Sequence, residues 1–316
     1  MRAIAINEFG GRDKLQLMNL PVPEYSPTEI LLRVKAAGVN PVDWKIREGY
    51  LKDLFPHEFP VILGWDAAGV VEEAGQEVTR FKQGDEVFAY CRKPIVHGGS
   101  YADYIVLQEE HAALKPKNTS FEQAASIPLA ALTAYQALFD AAKLSSEETV
   151  LIHAAAGGVG GFAVQLAKDR GAVVLGTASA RNEEYVRDLG ARHVIDHTQV
   201  DFVQVVRSQF SDGVDVVFDC VGGEVLEKSV EIVKPGGRLI SIVDDPTGMA
   251  RNDVHKEFVF VAPNSTQLTA LARMVEQERL ETHLSEILPF GLEEAKKVHK
   301  LSESRHTRGK MVLVVA

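Results

Sequence analysis

TVLIHAAAGGVGGFAVQLAKDRG, residues 149–171, is the stretch on which the reading of this chain turns. Val150, Leu151 and Ile152 form a short apolar run that enters a turn of small residues. The chain leaves the turn through Phe162, Val164, Leu166 and Ala167, apolar positions of a helix. Between strand and helix, Ala155-x-Gly157-x-x-Gly160 fits a dinucleotide fingerprint, with alanine in the place of its first glycine. The chemistry requires small residues there. Gly157 lets backbone approach a pyrophosphate, Gly160 lets the helix pack close to the strand, and unpaired helix N–H groups hold phosphate charge. A strand before and a helix after favour nucleotide binding over a plain packing turn.

The rest of the composition narrows the class. At 316 residues the chain exceeds the usual size of a single core, so two domains are expected. Lys and Arg number 34 against 44 Asp and Glu, a net charge of −10, which argues against a nucleic-acid partner. No run approaches the ~18 apolar residues of a membrane span, and MRAIAINEFGG does not read as a signal peptide. Cys91 and Cys220 are the only cysteines, too few for a disulfide framework and in keeping with a reducing cytoplasm.

From the start to about residue 119 the pattern is short and β-rich, with runs at 3–6, 29–36, 67–73, 86–89 and 102–106. Gly, Pro and Asp punctuate these runs, which predicts an irregular, barrel-like antiparallel domain. A helical stretch over 120–142 leads into the fingerprint strand. Strands are then predicted at 149–153, 173–177, 193–196, 214–218, 238–243 and 258–261, with helices in four of the five gaps. That alternation specifies a doubly wound parallel sheet of six strands. A helix over 292–302 and a strand over 310–315 have no place in it and are expected to return to the first domain.

These residues resemble, in order and along essentially the whole chain, the zinc-independent medium-chain dehydrogenases/reductases of the quinone oxidoreductase (zeta-crystallin-like) branch. The likeness runs through Gly38-Val39-Asn40-Pro41-Val42-Asp43, Gly64-Trp65-Asp66-Ala67-Ala68-Gly69 and Gly98-Gly99-Ser100-Tyr101-Ala102-Asp103-Tyr104. It continues through Leu132-Thr133-Ala134-Tyr135, the AAGGVG turn, Asp219-Cys220-Val221-Gly222-Gly223, Lys234-Pro235-Gly236-Gly237-Arg238 and Gly309-Lys310. The resemblance implies an α/β protein: a GroES-like catalytic domain (1–121 and 290–316) interrupted by a Rossmann domain (122–289). In zinc-bearing relatives a cysteine stands at the position of Asn40 and a histidine at that of Trp65, and a structural zinc lobe follows the region of Cys91. No metal is therefore expected.

An NAD site places an acid on the ribose about 20 residues beyond the glycines. Here that strand ends in Gly176-Thr177-Ala178-Ser179-Ala180-Arg181-Asn182, where Ser179 donates and Arg181 suits a 2′-phosphate, so NADPH is expected. The resemblance assigns further cofactor contacts to Ala156, Gly157, Gly158 and Val159, and to Thr133, which would bond the carboxamide. It adds His197, Val221, Gly222, Ile242, Val243, Phe260, Val261 and Ala262. Apolar members of that set fit ordinary sheet core as well. Without zinc, acceptors that delocalise charge after hydride arrives are favoured, with Asn40, Asp43 and Tyr50 as catalytic candidates. NADPH-dependent quinone reduction is the first reading and enone or alkenal reduction the second. A non-catalytic NADPH-binding protein is the alternative from another class. The apolar sixth strand and the resemblance both suggest a homodimer.

Overall fold

The computed structural model describes residues 1–315. The chain folds as two compact units: Met1–Leu132 together with the chain from Ala262 onward, and Thr133–Val261. The division falls inside the 122–289 span expected for the nucleotide domain. The helix Ser265–Glu276 groups with the first unit because Asn118 Nδ2 donates to Val275 O at 3.0 Å and Lys117 N to Glu276 Oε1 at 3.0 Å.

The second unit carries a six-stranded sheet, Thr149–Ile152, Val173–Ala178, His193–Asp196, Val214–Asp219, Val233–Ser241 and His255–Phe258. Its spatial order is third, second, first, fourth, fifth, sixth, with every neighbouring pair parallel. Helices Gly158–Arg170, Glu183–Leu189, Phe202–Gln209 and Gly223–Ser229 make the crossovers. Val150, Leu151, Ile152, Val216, Val217 and Phe218 are fully buried, as strands covered on both faces must be. The order reverses between the first and fourth strands, which opens a crevice beyond their carboxyl ends.

Two strands differ from expectation. The fifth begins at Val233, so Pro235 and Gly236 lie within it, and a register shift against Val214–Val216 absorbs them. The sixth runs His255–Phe258 rather than 258–261: the polar segment finds backbone partners at Arg238–Ser241, and the apolar Phe260 and Val261 lie beyond it. Backbone pairing, not apolarity, set that strand.

In the first unit the strand Glu29–Val39 is central. It pairs antiparallel with Asp66–Ala74, Tyr104–Gln108 and Lys310–Val314. Glu86–Tyr90 and Ala112–Leu114 extend the sheet on one side, and Leu284–Pro289 on the other. Leu284–Pro289 runs parallel to Lys310–Val314, with the helix Leu292–Glu303 between them. A separate three-stranded sheet comprises Gln16–Asn19, Arg2–Ile6 and Val61–Ile62. Among the described residues, no helix is long and apolar enough to cross a membrane.

Candidate active site

The fingerprint and specificity residues gather at the carboxyl edge of the parallel sheet. Ala156–Val159 follow the first strand, Ser179 and Arg181 the second, His197 the third, Val221 and Gly222 the fourth, and Ile242 and Val243 the fifth. Phe260 and Val261 lie just past the sixth strand, and Ala262 begins the return to the other unit. Thr133 is buried in the helix Pro128–Tyr135.

The glycine turn has a defined cause for each small residue. Its left-handed position is Ala154, at φ 51°, one residue before the Ala155 that the fingerprint aligns with its first glycine. A Cβ on Gly160 would stand 2.2 Å from Ala154 O, so only glycine fits. Behind the turn lies a buried relay that sequence reading missed. Ser229 Oγ donates to Val225 O (2.6 Å), so it accepts from His153 Nε2–H (2.9 Å). His153 Nδ1 is then the acceptor for the Thr177 hydroxyl (3.2 Å), whose oxygen accepts from Ala154 N (3.2 Å). Burial, with His197 adding to it, pushes the His153 imidazole down to about 3 and keeps it neutral. The only signal in the sequence was a polar residue ending an apolar strand.

Helix ends at this edge are not equivalent. Asp201 accepts from Val203 N at the start of Phe202–Gln209. Asp219 accepts from Val221 N and Gly222 N, and Asp244 from Gly223 N, at the start of Gly223–Ser229. Carboxylates thus already occupy those ends. Helix Gly158–Arg170 begins at Gly157 with no side-chain cap, so its first N–H groups suit a phosphate. Val221 and Gly222 keep their N–H groups on Asp219 and Gly222 O accepts from Leu226 N, which leaves the Val221 carbonyl oxygen as the backbone group a cofactor could use. Past the second strand, Arg181 is exposed in the turn Ala180–Asn182. The acid opposite Ala178, Asp196, turns Oδ1 to Thr198 N and Oγ1.

A second cluster lies in the first unit, at the head of helix Pro41–Glu48. Asn40 is its N-cap, Pro41 opens it, and Asp43 Oδ2 accepts from Asn40 N at 2.8 Å; Gly49, at φ 82°, ends it. That pattern of cap, proline, acid and glycine is a helix signature. Asn40 Nδ2 donates to Asp66 Oδ2 at 2.8 Å, and Asn40 Oδ1 accepts from Lys310 Nζ. Lys310 also donates to Val39 O (3.0 Å) and lies 3.6 Å from Asp66 Oδ2. Asp66 Oδ1 accepts from Leu129 N, and Asp43 Oδ2 from Tyr101 Oη at 3.1 Å.

Burial pushes the Asp43 carboxyl up to about 7, with Asp66 adding to it, and the Asp66 carboxyl up to about 6 against the pull of Lys310. Burial lowers Lys310, opposed by both carboxyls. Lys310 is thus directed wholly into this cluster. Arg47, wholly buried, braces the helix: it donates to Gly10 O and Glu303 Oε1, pairs with Glu48, and meets His299 Nδ1 at 3.0 Å. Tyr50 is 67% exposed, its ring edge-on to Trp44. Trp65 is buried against Phe55 and Tyr90.

This cluster does not fit zinc. The two positions aligned with zinc ligands hold an amide and an indole, and the Lys310 ammonium already sits on Asn40 and beside Asp66. Among the described residues, no group of three or more His, Cys, Asp or Glu is arranged to hold a metal ion.

Comparison with known proteins fits this architecture. The alcohol dehydrogenase GroES-like domain family matches residues 26–117, and the zinc-binding dehydrogenase family matches 189–313. The chain belongs to the medium-chain dehydrogenase/reductase family, among its quinone oxidoreductase relatives, and is an NAD(P)-dependent oxidoreductase. It is 35% identical to the chloroplastic NADPH-dependent alkenal/one oxidoreductase of Arabidopsis thaliana, over 99% of this chain and 79% of that protein. The quinone oxidoreductase of Coxiella burnetii superposes with a TM-score of 0.89 at 36% identity, covering 100% of this chain and 99% of that one. An NAD-dependent alcohol dehydrogenase superposes at 0.90 with 32% identity, covering 100% of this chain and 100% of that one.

Proposed function

We propose that the protein is an NADPH-dependent, zinc-independent quinone reductase. The carrying observation is the uncapped Gly157 turn beside Arg181, at a sheet edge where carboxylates occupy the helix ends after the third and fourth strands. The N–H groups after Gly157 would hold the pyrophosphate, and Arg181 and Ser179 the 2′-phosphate. When bound, the cofactor supplies the hydride. Asn40 and Tyr50 supply hydrogen-bond donors to the acceptor end, and Asp43 holds the Asn40 backbone. The oxygen of a quinone or enone gains charge only after hydride arrives, so a neutral donor suffices. Enone reduction is the second reading, favoured by the 35% identity to the alkenal/one oxidoreductase.

We further propose that two copies pair through the edge strand His255–Phe258, where Phe258 at its end and Phe260 just beyond it are 37% and 39% exposed. Both cysteines are free, which suits the cytoplasm. The decisive experiment follows NADPH oxidation with a panel of quinones, enones and aldehydes, run beside NADP+ reduction with simple alcohols. Turnover of quinones or enones without added metal is expected, and protein purified without added metal should contain far less than one zinc per chain. Binding of NADPH without turnover of any acceptor would favour a non-catalytic NADPH-binding protein. Alcohol oxidation as fast as quinone reduction would overturn the mechanism.

A further inference from the structure

We propose that Lys310 is a positioning residue for the reduction: with Asp66 it locks the orientation of the Asn40 side-chain amide, so that the site offers an N–H and never a C=O from that position. This inference rests on the functional reading above.

The lock follows from what each partner can do. An ammonium only donates and a carboxylate only accepts. Asn40 turns Oδ1 to Lys310 and Nδ2 to Asp66. Rotating the amide by half a turn would set two donors against each other at one end and two acceptors at the other. Both charged partners are themselves fixed: Lys310 by Val39 O, and Asp66 by Leu129 N. All are buried, with Asn40 at 2%, Lys310 at 5% and Asp66 at 0% exposure, so water cannot replace the lost bonds. Two hydrogens on Nδ2 and one acceptor at Asp66 leave a single amide hydrogen unassigned. Tyr101 and the backbone N of Asn40 hold Asp43 on the adjoining side, so the amide's own backbone is pinned as well. Lys310 arrives from the Lys310–Val314 strand, far from Asn40 in sequence, and no local pattern links the two.

The proposal predicts a specific non-additivity. Lys310→Met keeps the side-chain length and removes the donor. It should lower kcat for quinone by roughly 10- to 100-fold, the loss expected for one charge-assisted bond, while KM for NADPH stays within about two-fold. In an Asn40→Ala background the same substitution should cost little more, because no amide remains to orient. Asp66→Asn presents a partner that accepts either face of the amide and should reproduce the effect; it carries the test if Lys310→Met fails to fold by thermal melting. Equal losses in both backgrounds would show that Lys310 merely supports its strand, and an unchanged kcat would also overturn the proposal.

A readout independent of turnover is the Asn40 side-chain amide in a ¹⁵N NMR spectrum, assigned by its absence in Asn40→Ala. Two sharp, slowly exchanging proton signals are expected in the wild type, broadened in Lys310→Met and in Asp66→Asn. Unaltered signals in both variants would refute the lock. Should the wild type reduce neither quinones nor enones, the functional reading fails, and the NMR result alone decides the role of Lys310.

Discussion

Substituting Gly160 and its neighbour Gly161 separates a packing requirement from mere helix content. A methyl group on Gly160 would lie 2.2 Å from Ala154 O and 2.9 Å from Ala155 Cα, both backbone atoms of the glycine turn. Ordinary contact begins near 3.4 Å, so the turn must retreat by 3.4 − 2.2, or about 1.2 Å. Overpacking of this kind costs about 1–3 kcal/mol in stability. On the proposed function, the same displacement would move the N–H groups after Gly157 off the pyrophosphate, and losing one charge-assisted bond of about 1.5–3 kcal/mol would weaken binding roughly 10- to 100-fold. Gly161 faces Leu189 Cδ1 and Tyr185 Oη at 3.4 Å, which are side-chain atoms able to yield. Gly161→Ala should therefore leave NADPH affinity within about two-fold and gain up to about 1 kcal/mol from helix propensity. NADPH fluorescence titration and thermal melts read both quantities. Equal losses in the two variants, or a Gly160→Ala protein that binds NADPH like the wild type, would refute the account of the turn.

Arg181→Ala should weaken NADPH roughly 10- to 100-fold and leave NADH nearly unchanged, as measured by the same titration; equal loss for both cofactors would mean that Arg181 is structural. The carboxyl of Asp43 stands near 7 when folded against 3.8 as a free side chain, so between about pH 4 and 7 the folded state holds a proton that the unfolded chain has released. Its contribution to stability therefore falls as pH rises through that window, and Asp43→Asn should flatten the slope of denaturant-derived stability there; identical slopes would refute the assignment. Tyr50→Phe should lower kcat by roughly 10²- to 10³-fold with NADPH affinity preserved; full turnover would dismiss Tyr50 as the donor, and full turnover of Asn40→Ala as well would show that the proton comes from solvent. Light scattering at micromolar concentration should report a dimer, and a monomer would dismiss pairing through His255–Phe258.

The parallel sheet was legible because Val150–Ile152 and its counterparts are apolar on both faces and the turns between them carry glycine or an acid. The sixth strand was not, since His255-Lys256-Glu257 has no apolar pattern and takes its place only by pairing with the fifth. At the nucleotide edge the sequence showed which residues follow each strand. It did not show that Asp219 and Asp244 fill the helix end after the fourth, because such capping depends on the Ser241–Asp244 turn arriving from elsewhere. Asn40 and Asp43 stood out by motif. Their partners Lys310 and Asp66 meet them only through the antiparallel pairing of distant strands, and Tyr101 only through the backbone bonds of its loop to Ile4 and Leu63.

The interrupted course of the first unit also orders its assembly. Its central strand, Glu29–Val39, needs Lys310–Val314 as an edge partner, and the whole of Thr133–Val261 is synthesised between them. On the ribosome the inserted unit has all its strands by Val261, whereas the large sheet and the Lys310 anchor must wait. Nascent chains stalled a few tens of residues past Val261 should resist protease over 133–261 while remaining cleavable in the first 132 residues. Synthesis would then close the parallel sheet while the Asn40–Asp66–Lys310 cluster still lacked its last member.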